Sequence, residues 1–426
     1  MNKDFFKYIN ERGFIHQCTD EQNLKNYLKK PSVAYIGFDC TSDSLHAGSL
    51  LPLMLLRNFQ KFGHKPIILI GGGTTLVGDP SGKDETRKIL SEDEINLNKK
   101  KLRKVFEKFL NFEKSNTSCA ILVDNYDWLN NLKYINFIRD IGSKFSINKM
   151  LSLESIKQRL KREQNLSFLE FNYSILQAYD FIKLFQKYKC KIQFGGSDQW
   201  GNIVSGIDLV KRIEQQDVFG LTTPLITTSA GAKMGKTAAG AIWLSEDKLD
   251  PTSFWQYWRN TSDQDIIKFL LLFTELDTKK IEGYRSLSGS DFNQLKILLA
   301  NEVTKLCHGE ENSKKAESEA NQILVNNELD SNVINNCENK LVVKNKVIES
   351  GLSLKEVLID LKFCKSNGES KRLISQGAVK VNNDKITDKE LLMKKDYFIN
   401  HPNRKNTYYV VIHVGKNKYG IVELIP

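Results

Sequence analysis

The first half of the chain alternates short apolar segments of strand-like composition with helix-like segments. Strand-like segments cover residues 33–38, 67–70, 120–123 and 191–194, and residues 50–59 have an apolar helical pattern. Parallel strands need long crossovers between them, and helices usually supply these. The alternation therefore predicts an α/β fold built on a doubly wound parallel sheet with helices on both faces. In such sheets ligands bind at the carboxyl ends of the strands.

The remainder of the chain changes character twice. Residues 250–325 have a helical pattern, residues 326–345 are rich in Asn, and residues 352–426 mix one helix-like segment with several short strands. A length of 426 residues suits two or three domains. We predict four segments, namely an α/β domain over 1–245, an α-helical domain over 246–330, a linker over 331–350 and a small α+β domain over 351–426.

The charge of the chain is concentrated at its end. The net charge is +11, and residues 341–426 hold 16 Lys and Arg against nine Asp and Glu. A basic terminal block is typical of proteins that bind a polyanion, although it can also serve solubility alone.

The seven cysteines indicate the compartment. Their number is odd and no two have C-x-x-C spacing, so they predict reduced thiols rather than a zinc site or a disulfide framework. No secretory signal and no apolar run of about 18 residues is visible, so we expect a cytoplasmic protein without a membrane span.

Five polar clusters follow the predicted strands or lie on a helix beside them. The first, residues 35–49, passes from a strand into a helix whose free N–H groups suit a phosphate, although a plain capped turn would look the same. The second, residues 71–87, places glycines after a strand and adds Lys83 and Arg87, four residues apart. Its alternative is a surface loop with two solvated cations.

The third cluster places a phenol, an amide and a carboxylate on one helix face, at Tyr173, Gln177 and Asp180. The surrounding residues are apolar, so these polar groups favour a bound ligand over a solvated stripe. The fourth cluster, residues 195–202, follows a strand and includes an aspartate that could bind ribose. The fifth, residues 232–237, is a glycine-hinged loop with two lysines, a pattern that also occurs in ordinary surface turns.

In this order and at these spacings, the clusters resemble the bacterial-type tyrosyl-tRNA synthetases of the class I aminoacyl-tRNA synthetase family. His46-Ala47-Gly48-Ser49 is similar to the HIGH signature, with serine for the second histidine, and Lys233-Met234-Gly235-Lys236-Thr237 is similar to the KMSKS loop. The resemblance covers nearly the whole chain. It implies a Rossmann-like catalytic domain over 1–245, an anticodon-arm domain over 246–330 and an alpha-L type RNA-binding domain over 351–426.

The resemblance implies a pocket for L-tyrosine. Tyr35 and Asp180 would hold the phenolic hydroxyl, and phenylalanine would leave both unpaired. The other implied pocket residues are Asp79, Tyr173 and Gln177 for the ammonium group, Gln199 near the carboxylate, and Asn125 as a support.

The resemblance also implies ATP as a substrate complex with Mg²⁺, with no tightly bound cofactor and no metal held by the protein. Thr41 and His46 would contact the γ-phosphate. A cationic clamp on pyrophosphate would comprise Lys83, Arg87, Lys233, Lys236 and Thr237. Groups near the adenosine and ribose would be Gly37, Asp39, Gly48, Ser49, Gly196, Asp198 and Lys236. Ile36 stands where some relatives carry a cysteine that contacts the ribose, and its side chain cannot make that hydrogen bond.

The basic end resembles an RNA-binding module. Residues 371–382 are similar to the alpha-L motif, which implies RNA contacts from Lys371, Arg372 and Lys380 and tRNA(Tyr) as the partner. The family also implies a homodimer. Residues 130–160 carry apolar side chains that suit either a dimer face or the core, namely Phe137, Phe145, Ile147, Met150 and Leu151.

The implied reaction has two steps. The tyrosine carboxylate attacks the α-phosphorus of ATP and releases pyrophosphate, and a ribose hydroxyl of tRNA then attacks the activated carbonyl. Two alternatives stay open at this point. The chain could activate another aromatic amino acid such as tryptophan, or act as a nucleotidylyltransferase. It could also be an RNA-binding protein that keeps the fold without the chemistry.

Overall fold

The structure is a computed structural model. It describes residues 4–80, 90–163, 165–229, 231, 234–237, 240–287, 291–326, 334, 337, 339–344, 348, 351–382, 384–402, 404–415 and 418–426. The chain divides into two compact units, Met1–Ala316 and Glu317–Pro426.

Eight strands of the first unit are described. They are β1 (Gln17–Cys18), β2 (Val33–Asp39), β3 (Lys65–Gly71), β4 (Ile121–Asp124), β5 (Ile192–Gly196), β6 (Phe219–Thr223), β7 (Lys236–Thr237) and β8 (Gly240–Ala241). The first six form one sheet in the order β1-β6-β5-β2-β3-β4. All neighbours in it are parallel except β1 and β6.

This strand order confirms the predicted doubly wound sheet. The chain moves outward from β2 through β3 to β4, and it then returns to place β5 on the other side of β2. The winding direction therefore reverses between β2 and β5. In sheets of this kind the crevice at the carboxyl ends of the two strands at the reversal is the ligand site.

Sixteen α-helices begin within the described residues of the first unit. They are α1 (Phe5–Glu11), α2 (Glu21–Tyr27), α3 (Leu50–Lys61), α4 (Glu92–Phe109), α5 (Tyr126–Leu129), α6 (Tyr134–Asp140), α7 (Ile147–Leu151), α8 (Glu154–Lys161), α9 (Phe168–Phe171), α10 (Tyr173–Tyr188), α11 (Trp200–Glu214), α12 (Pro251–Arg259), α13 (Asp263–Phe273), α14 (Thr278–Gly283), α15 (Asp291–His308) and α16 (Glu310–Asn326). Among the described residues, no helix is both long enough and apolar enough to cross a membrane.

Ser91 and Glu94 form a capping box at the start of α4. The Ser91 hydroxyl accepts from the Glu94 N–H, and the Glu94 carboxylate accepts from the Ser91 N–H at 2.8 Å. Because both bonds satisfy N–H groups that have no partner inside the helix, they fix where α4 begins. This helix packs beside α3 against the sheet face formed by residues such as Phe38.

The opposite sheet face packs against α10 and α11. Tyr35 and Ile67 point from the central strands into this layer, where Phe181 and Leu209 meet them. The ring of Tyr35 lies edge-on to Phe181, with centroids 5.3 Å apart. Since this layer carries Tyr35 and α10, it positions the side chains of the third predicted cluster over the carboxyl end of β2.

Arg12, at the end of α1, connects this helix to the end of α13. Arg12 is buried, and its guanidinium donates to the carbonyl oxygens of Leu271 at 2.6 Å and Leu276 at 2.8 Å, and also to those of Leu270 and Thr274. The last carbonyls of a helix have no partner within it, so Arg12 satisfies the end of α13. The ranges 1–245 and 246–330, as separate domains, stay predictions.

The second unit is a small α+β structure. Its strands are β9 (Lys340–Lys344), β10 (Leu352–Ser353), β11 (Val379–Val381), β12 (Asp384–Ile386), β13 (Leu392–Met393), β14 (Ile399–Asn400), β15 (Tyr408–Val414) and β16 (Lys418–Ile425), and its described later helices are α17 (Leu354–Asp360) and α18 (Asn367–Ser375). The main sheet has the order β12-β11-β15-β16-β9. One of its faces forms an apolar core with α17 and α18.

The structure corrects part of the predicted linker. Residues 340–344, inside the predicted linker 331–350, form β9, which pairs in parallel with β16 at the edge of the sheet. Leu341 and Val343 pack on the core of the unit. The Asn-rich surroundings suggested a connector, but three apolar residues, two of them β-branched, are enough for an edge strand.

Candidate functional site

The crevice between the ends of β2 and β5 contains an open pocket. Gly37 is in the middle of β2, yet it is exposed, and nothing lies within 4 Å of the position that a Cβ would take. Tyr35 and Asp39 point to the same side of the sheet, because side chains two apart on a strand share a face. An exposed glycine in a central strand therefore marks the floor of a cavity, with Tyr35 at one end and Asp39 at the other.

Asp180 is the buried acid of this pocket. It is 2% exposed, and its carboxylate accepts from Asn125 Nδ2 at 3.0 Å and from Trp128 Nε1 at 2.8 Å. Burial raises the pKa of Asp180 to about 7, against the lowering effect of these two hydrogen bonds. Two donors hold the carboxyl group in one orientation, which makes it a fixed acceptor for a ligand hydroxyl.

Two neighbouring polar atoms lack partners among the described residues. The Tyr35 hydroxyl is fully buried and unpaired, and so is Oε1 of Gln193, the residue on β5 that directly faces Tyr35 in the sheet. Burial, with the nearby Asp180, raises the pKa of Tyr35 well above its ordinary value, so the hydroxyl stays protonated. Buried unpaired polar groups cost about 1–3 kcal/mol each, and a polar ligand would supply the missing partners.

A continuous chain of hydrogen bonds links the two ends of the pocket. The Tyr173 hydroxyl donates to Asp39 at 3.0 Å, and Thr74 donates to the other oxygen of Asp39 at 2.7 Å. Asn125 then donates to the Thr74 hydroxyl at 3.0 Å and to Asp180. Because each group restrains the next, this network fixes the pocket wall before any ligand arrives.

The pocket is strongly acidic around Tyr173. Burial raises the pKa of Tyr173 well above its ordinary value, and the carboxylates of Asp39, Asp79 and Asp180 add to the effect. Three carboxylates around one buried phenol create a negative potential that attracts a cation. This electrostatic environment suits the ammonium group of an amino acid.

The remaining predicted pocket residues lie around the mouth. Gln199 donates from Nε2 to Asp79 at 2.8 Å, and Asn202 donates to Gln199 Oε1 at 3.1 Å. Gln177 is half-buried on α10, one turn from both Tyr173 and Asp180. The structure therefore gathers all seven residues predicted for tyrosine into one region.

The turn after residue 45 meets the fifth cluster directly. His46 Nδ1 accepts from the Gly48 N–H at 3.0 Å, which caps the short helical turn leading into α3. Ala47 N–H donates to Ile242 O at 2.7 Å, and Ile242 N–H donates to Gly235 O at 3.0 Å. Residues 234–235 thus lie against the start of α3, although they are nearly 190 positions away in sequence.

Two glycines make this approach possible. Gly235 has a φ of +82°, and a Cβ there would lie 2.6 Å from the Gly48 N atom. A Cβ on Gly48 would lie 2.9 Å from the Met234 carbonyl oxygen. Any side chain at either position would separate the two segments, so both glycines are needed for the contact.

Several predicted nucleotide-site residues lie at the same edge of the sheet. Thr41 and Asp198 are exposed, Ser49 is half-buried, and a Cβ on Gly196 would meet the Asp198 carboxylate. Lys236 and Thr237 form β7, paired with β8. Three predicted clamp residues lie outside the described residues, namely Lys83, Arg87 and Lys233.

Sequence reasoning missed three contributors to the pocket. Trp128 was passed over although it lies three residues after Asn125, a spacing that places both on one side of a helical turn. Thr74 had been noticed only as part of a glycine-rich loop. Gln193 interrupts an apolar strand, which is a signal in itself, but its position opposite Tyr35 depends on a strand pairing that the sequence does not reveal.

A salt bridge supports the glycine-rich loop beside the pocket. Lys99 Nζ lies 2.6 Å from Asp124 Oδ2, and Asp124 Oδ1 accepts from the N–H groups of Gly72 at 3.2 Å and Tyr126 at 2.9 Å. Lys99 was also missed, because its role depends on α4 packing beside the ends of β3 and β4. The acid orients both loops that carry pocket residues.

The basic module has its predicted residues on two surfaces. Lys371 and Arg372 are exposed on α18, and Lys371 lies 3.1 Å from Glu390. Lys380 is exposed on β11, between Val379 and Val381, which face the core under the helices. Since neighbouring residues of a strand point to opposite faces, Lys380 points away from α18.

The apolar segment at 130–160 also divides into two groups. Met150 is buried, and Phe137 and Phe145 pack on the same core. Ile147 is 65% exposed and Leu151 is 39% exposed. Other exposed apolar side chains of this region are Tyr134, Ile135, Ile138 and Leu160, and Phe168 and Leu169 follow shortly after it.

The doubly wound sheet with a buried polar pocket at its switch point defines an α/β ligand-binding fold, and comparison with known proteins names its family. The model of tRNA synthetases class I (W and Y) matches residues 27–325, and that of the tyrosine–tRNA ligase SYY-like C-terminal domain matches residues 335–422. The chain belongs to the class I tRNA synthetase family.

Its relatives are more specific. The tyrosine–tRNA ligase of Pelagibacter ubique (strain HTCC1062) is 48% identical over 426 residues, with all of both chains covered. That of Novosphingobium aromaticivorans is 48% identical, covering 98% of this chain and 97% of its own. Among solved structures, a C-terminally truncated mitochondrial tyrosyl-tRNA synthetase of Aspergillus nidulans is 29% identical with a TM-score of 0.67, covering 75% of this chain and 94% of its own.

Proposed function

We propose that this chain is a tyrosine–tRNA ligase, which activates L-tyrosine with ATP and transfers it to the 3′ end of tRNA(Tyr). The observation that carries the proposal is the buried group of Asp180, Tyr35 and Gln193 beside the open floor at Gly37. An apolar pocket with acceptors at its closed end fits a phenol. The full-length similarity to tyrosine–tRNA ligases supports the same substrate.

Tyrosine would enter with its ring over Gly37. Its hydroxyl would donate to Asp180 and accept from the Tyr35 hydroxyl. Its ammonium group would occupy the acidic region made by Asp79 and Tyr173 with Gln177, and its carboxylate would lie near Gln199. Tryptophan also has a donor for Asp180, its indole N–H, so the full-length similarity to tyrosine–tRNA ligases is what favours tyrosine over tryptophan.

ATP, with its Mg²⁺, would lie across the start of α3. Because His46 Nδ1 accepts from Gly48, the neutral ring carries its proton on Nε2, where it can donate to a phosphate oxygen. Thr41 and the helix start would bind the same phosphates. Lys83, Arg87, Lys233, Lys236 and Thr237 would then stabilise the departing pyrophosphate, with Asp39, Gly196 and Asp198 near the adenosine.

The chemistry needs no protein nucleophile. An oxygen of the tyrosine carboxylate forms a bond to the α-phosphorus as the bond to pyrophosphate breaks. The terminal ribose hydroxyl of tRNA then attacks the tyrosyl carbonyl, and AMP leaves. The protein contributes orientation of the two reactants and charges fixed where charge develops, which are large effects in a site that excludes water.

The second unit would hold tRNA through Lys371, Arg372 and Lys380, which explains the excess of positive charge near the chain end.

The chain would act as a homodimer through the exposed apolar side chains of α6, α7 and α9, including Ile135, Ile147 and Phe168. Light scattering of the purified chain should give twice the chain mass, and Ile135→Asp should reduce it. We place the protein in the cytoplasm, where its seven cysteines stay reduced.

The test of the proposal is ATP–pyrophosphate exchange with tyrosine and phenylalanine. Phenylalanine leaves the Tyr35 hydroxyl unpaired and Asp180 without its third donor, at about 1–3 kcal/mol each, which gives wild-type selectivity of about 30-fold or more. Asp180→Ala should abolish this selectivity and most of the activity, whereas the exposed control Asp217→Ala should change neither. Equal use of both amino acids by the wild-type chain would refute the proposed substrate.

A further inference from the structure

Four side chains form a row across the sheet of the second unit. Lys385 on β12 directly faces Lys380 on β11, Lys380 faces His413 on β15, and His413 faces Tyr419 on β16. Directly paired residues of antiparallel strands lie on the same face, so all four point the same way. With strands about 4.8 Å apart, the row spans about 14 Å.

The row lies on the face that α17 and α18 leave uncovered. Val379, Val381 and Val414 alternate with the members of the row and point into the core beneath the helices. Further along the uncovered face, Tyr409 and Ile421 are buried in a second apolar cluster. The row therefore occupies the open end of this face, and the rest of the face is closed by the protein itself.

The closed part of the face holds a buried acid whose charge is paired. Its buried acid, Glu423, lies 2.6 Å from Lys340 Nζ and 3.0 Å from Arg404 Nη1. The positive charge of the row is thus not neutralised by its nearest acid on this face.

The row combines two lysines with one exposed ring and one half-buried ring. Among the described residues, neither Lys380 nor Lys385 forms an ion pair with a carboxylate, although the two lie directly opposite each other. Like charges in directly opposite positions destabilise a sheet. The rings of His413 and Tyr419 lie 6.1 Å apart at 37°, and Tyr419 is 42% exposed. Both features are unfavourable in water, and a ligand with negative charge and flat rings would relieve both.

The row also reaches the end of α18. The side chain of Lys385 lies over Gly377, the residue that follows this helix with a φ of +63°; a Cβ there would be 2.6 Å from Lys385 Nζ. A strand of nucleic acid held on the row could therefore continue toward α18, where Lys371 and Arg372 are exposed.

We infer that this row binds an unpaired segment of RNA, with phosphates on Lys380 and Lys385 and a base stacked on Tyr419 beside His413. The inference rests on the proposed function, which makes tRNA the partner of this unit. Sheet faces that present aromatic side chains beside cations are a common platform for single-stranded RNA, because every base offers a flat face for stacking. A paired helix would present its backbone, and Tyr419 would then contribute little.

The test measures binding of a tRNA(Tyr) transcript to the full-length chain. Base stacking is lost in Tyr419→Ala, which should weaken binding about fivefold or more, whereas Tyr419→Phe keeps the ring and should stay within about twofold. Melting temperatures of all variants, compared with that of the wild type, verify folding. Equal affinities for Tyr419→Ala and Tyr419→Phe would overturn the stacking role.

The lysines are tested by the salt dependence of the same affinity. The double variant Lys380→Ala/Lys385→Ala should lower the slope of log affinity against log salt by about 1.4–1.8, since each lost phosphate contact removes about 0.7–0.9. The double variant Lys389→Ala/Lys394→Ala removes the same charge from other exposed positions and should lower it by less than half as much. Equal salt slopes for the two double variants would contradict the inferred binding of phosphates by Lys380 and Lys385.

One further variant separates this inference from the proposed function. Lys371→Ala/Arg372→Ala should also weaken tRNA binding. If this variant binds tRNA more weakly while the row variants bind it like wild type, the row does not bind RNA and the proposed function stands. If the wild-type chain binds no tRNA, the proposed function fails and the row fails with it.

Discussion

The buried carboxyl of Asp180 should make the first unit less stable as the pH rises. Its pKa is raised from 3.8 to about 7 by burial, so the folded chain keeps a proton that the unfolded chain loses near pH 4. Stability from this proton is fully present below about pH 4 and is lost as the pH rises to about 7. Between about pH 5 and pH 8 the loss is roughly 3 kcal/mol.

Asp180→Asn removes this titration and keeps the shape of the side chain. For a unit of 316 residues, roughly 3 kcal/mol corresponds to about 4 °C in melting temperature. The melting temperature of Asp180→Asn relative to wild type should therefore be about 4 °C higher at about pH 8 than at about pH 5. A constant offset from new contacts of the amide cancels in this comparison.

Differential scanning calorimetry without ligands, at the two pH values, is the assay. The exposed Asp217→Asn is the matched control, because its side chain is 83% exposed and stays in water. It should show no difference between the two conditions. A melting-temperature difference between Asp180→Asn and wild type that is the same at both pH values would refute the reasoning. It would mean that ionising the buried carboxyl does not destabilise the fold.

Two further changes test other parts of the structure. Gly235→Ala puts a Cβ 2.6 Å from the Gly48 N atom at a left-handed φ, so it should slow tyrosyl-adenylate formation about fivefold or more, with tyrosine affinity unchanged. Single-turnover rates and equilibrium binding decide, and an unchanged rate would show that this contact is not productive. Arg12→Met leaves four carbonyl oxygens at the end of α13 without their donor and should lower the melting temperature by about 5 °C. Lys7→Met, which changes an exposed residue, should lower it by less than about 1 °C, and equal shifts for the two variants would contradict the buried role of Arg12.

The sheet was predictable from the sequence because its central strands are apolar on both faces. Segments 33–38 and 67–70 lack the alternation of an exposed strand, and only a sheet covered on both sides buries them fully. The start of α4 was equally readable from Ser91 and Glu94, because a capping box depends on local spacing alone. The edge strand β9 was missed, since five residues in an Asn-rich stretch carry little pattern by themselves.

The site residues were found where chemistry is local and missed where it depends on packing. Tyr173, Gln177 and Asp180 share a helix face, which the spacing of four and three predicts. The pairing of Gln193 with Tyr35 joins strands separated by more than 150 residues, and only the sheet order reveals it. The same holds for the salt bridge of Lys99 with Asp124, which joins helix α4 to the end of strand β4.

Long-range contacts also changed the interpretation of the basic module. The sequence placed Lys371, Arg372 and Lys380 in one motif, and strand alternation places Lys380 on the other face of the sheet. On that face Lys380 lies beside His413, and His413 faces Tyr419. Both lie more than 30 residues from Lys380 and belong to no sequence motif.

Aminoacylation of bulk bacterial tRNA with each aromatic amino acid tests the central claim most directly. The full-length chain, supplied with ATP and Mg²⁺, should attach labelled tyrosine to tRNA and should attach neither phenylalanine nor tryptophan above the background without enzyme. Transfer of tryptophan or phenylalanine at a rate equal to that of tyrosine, or no transfer of any of the three, would contradict the account.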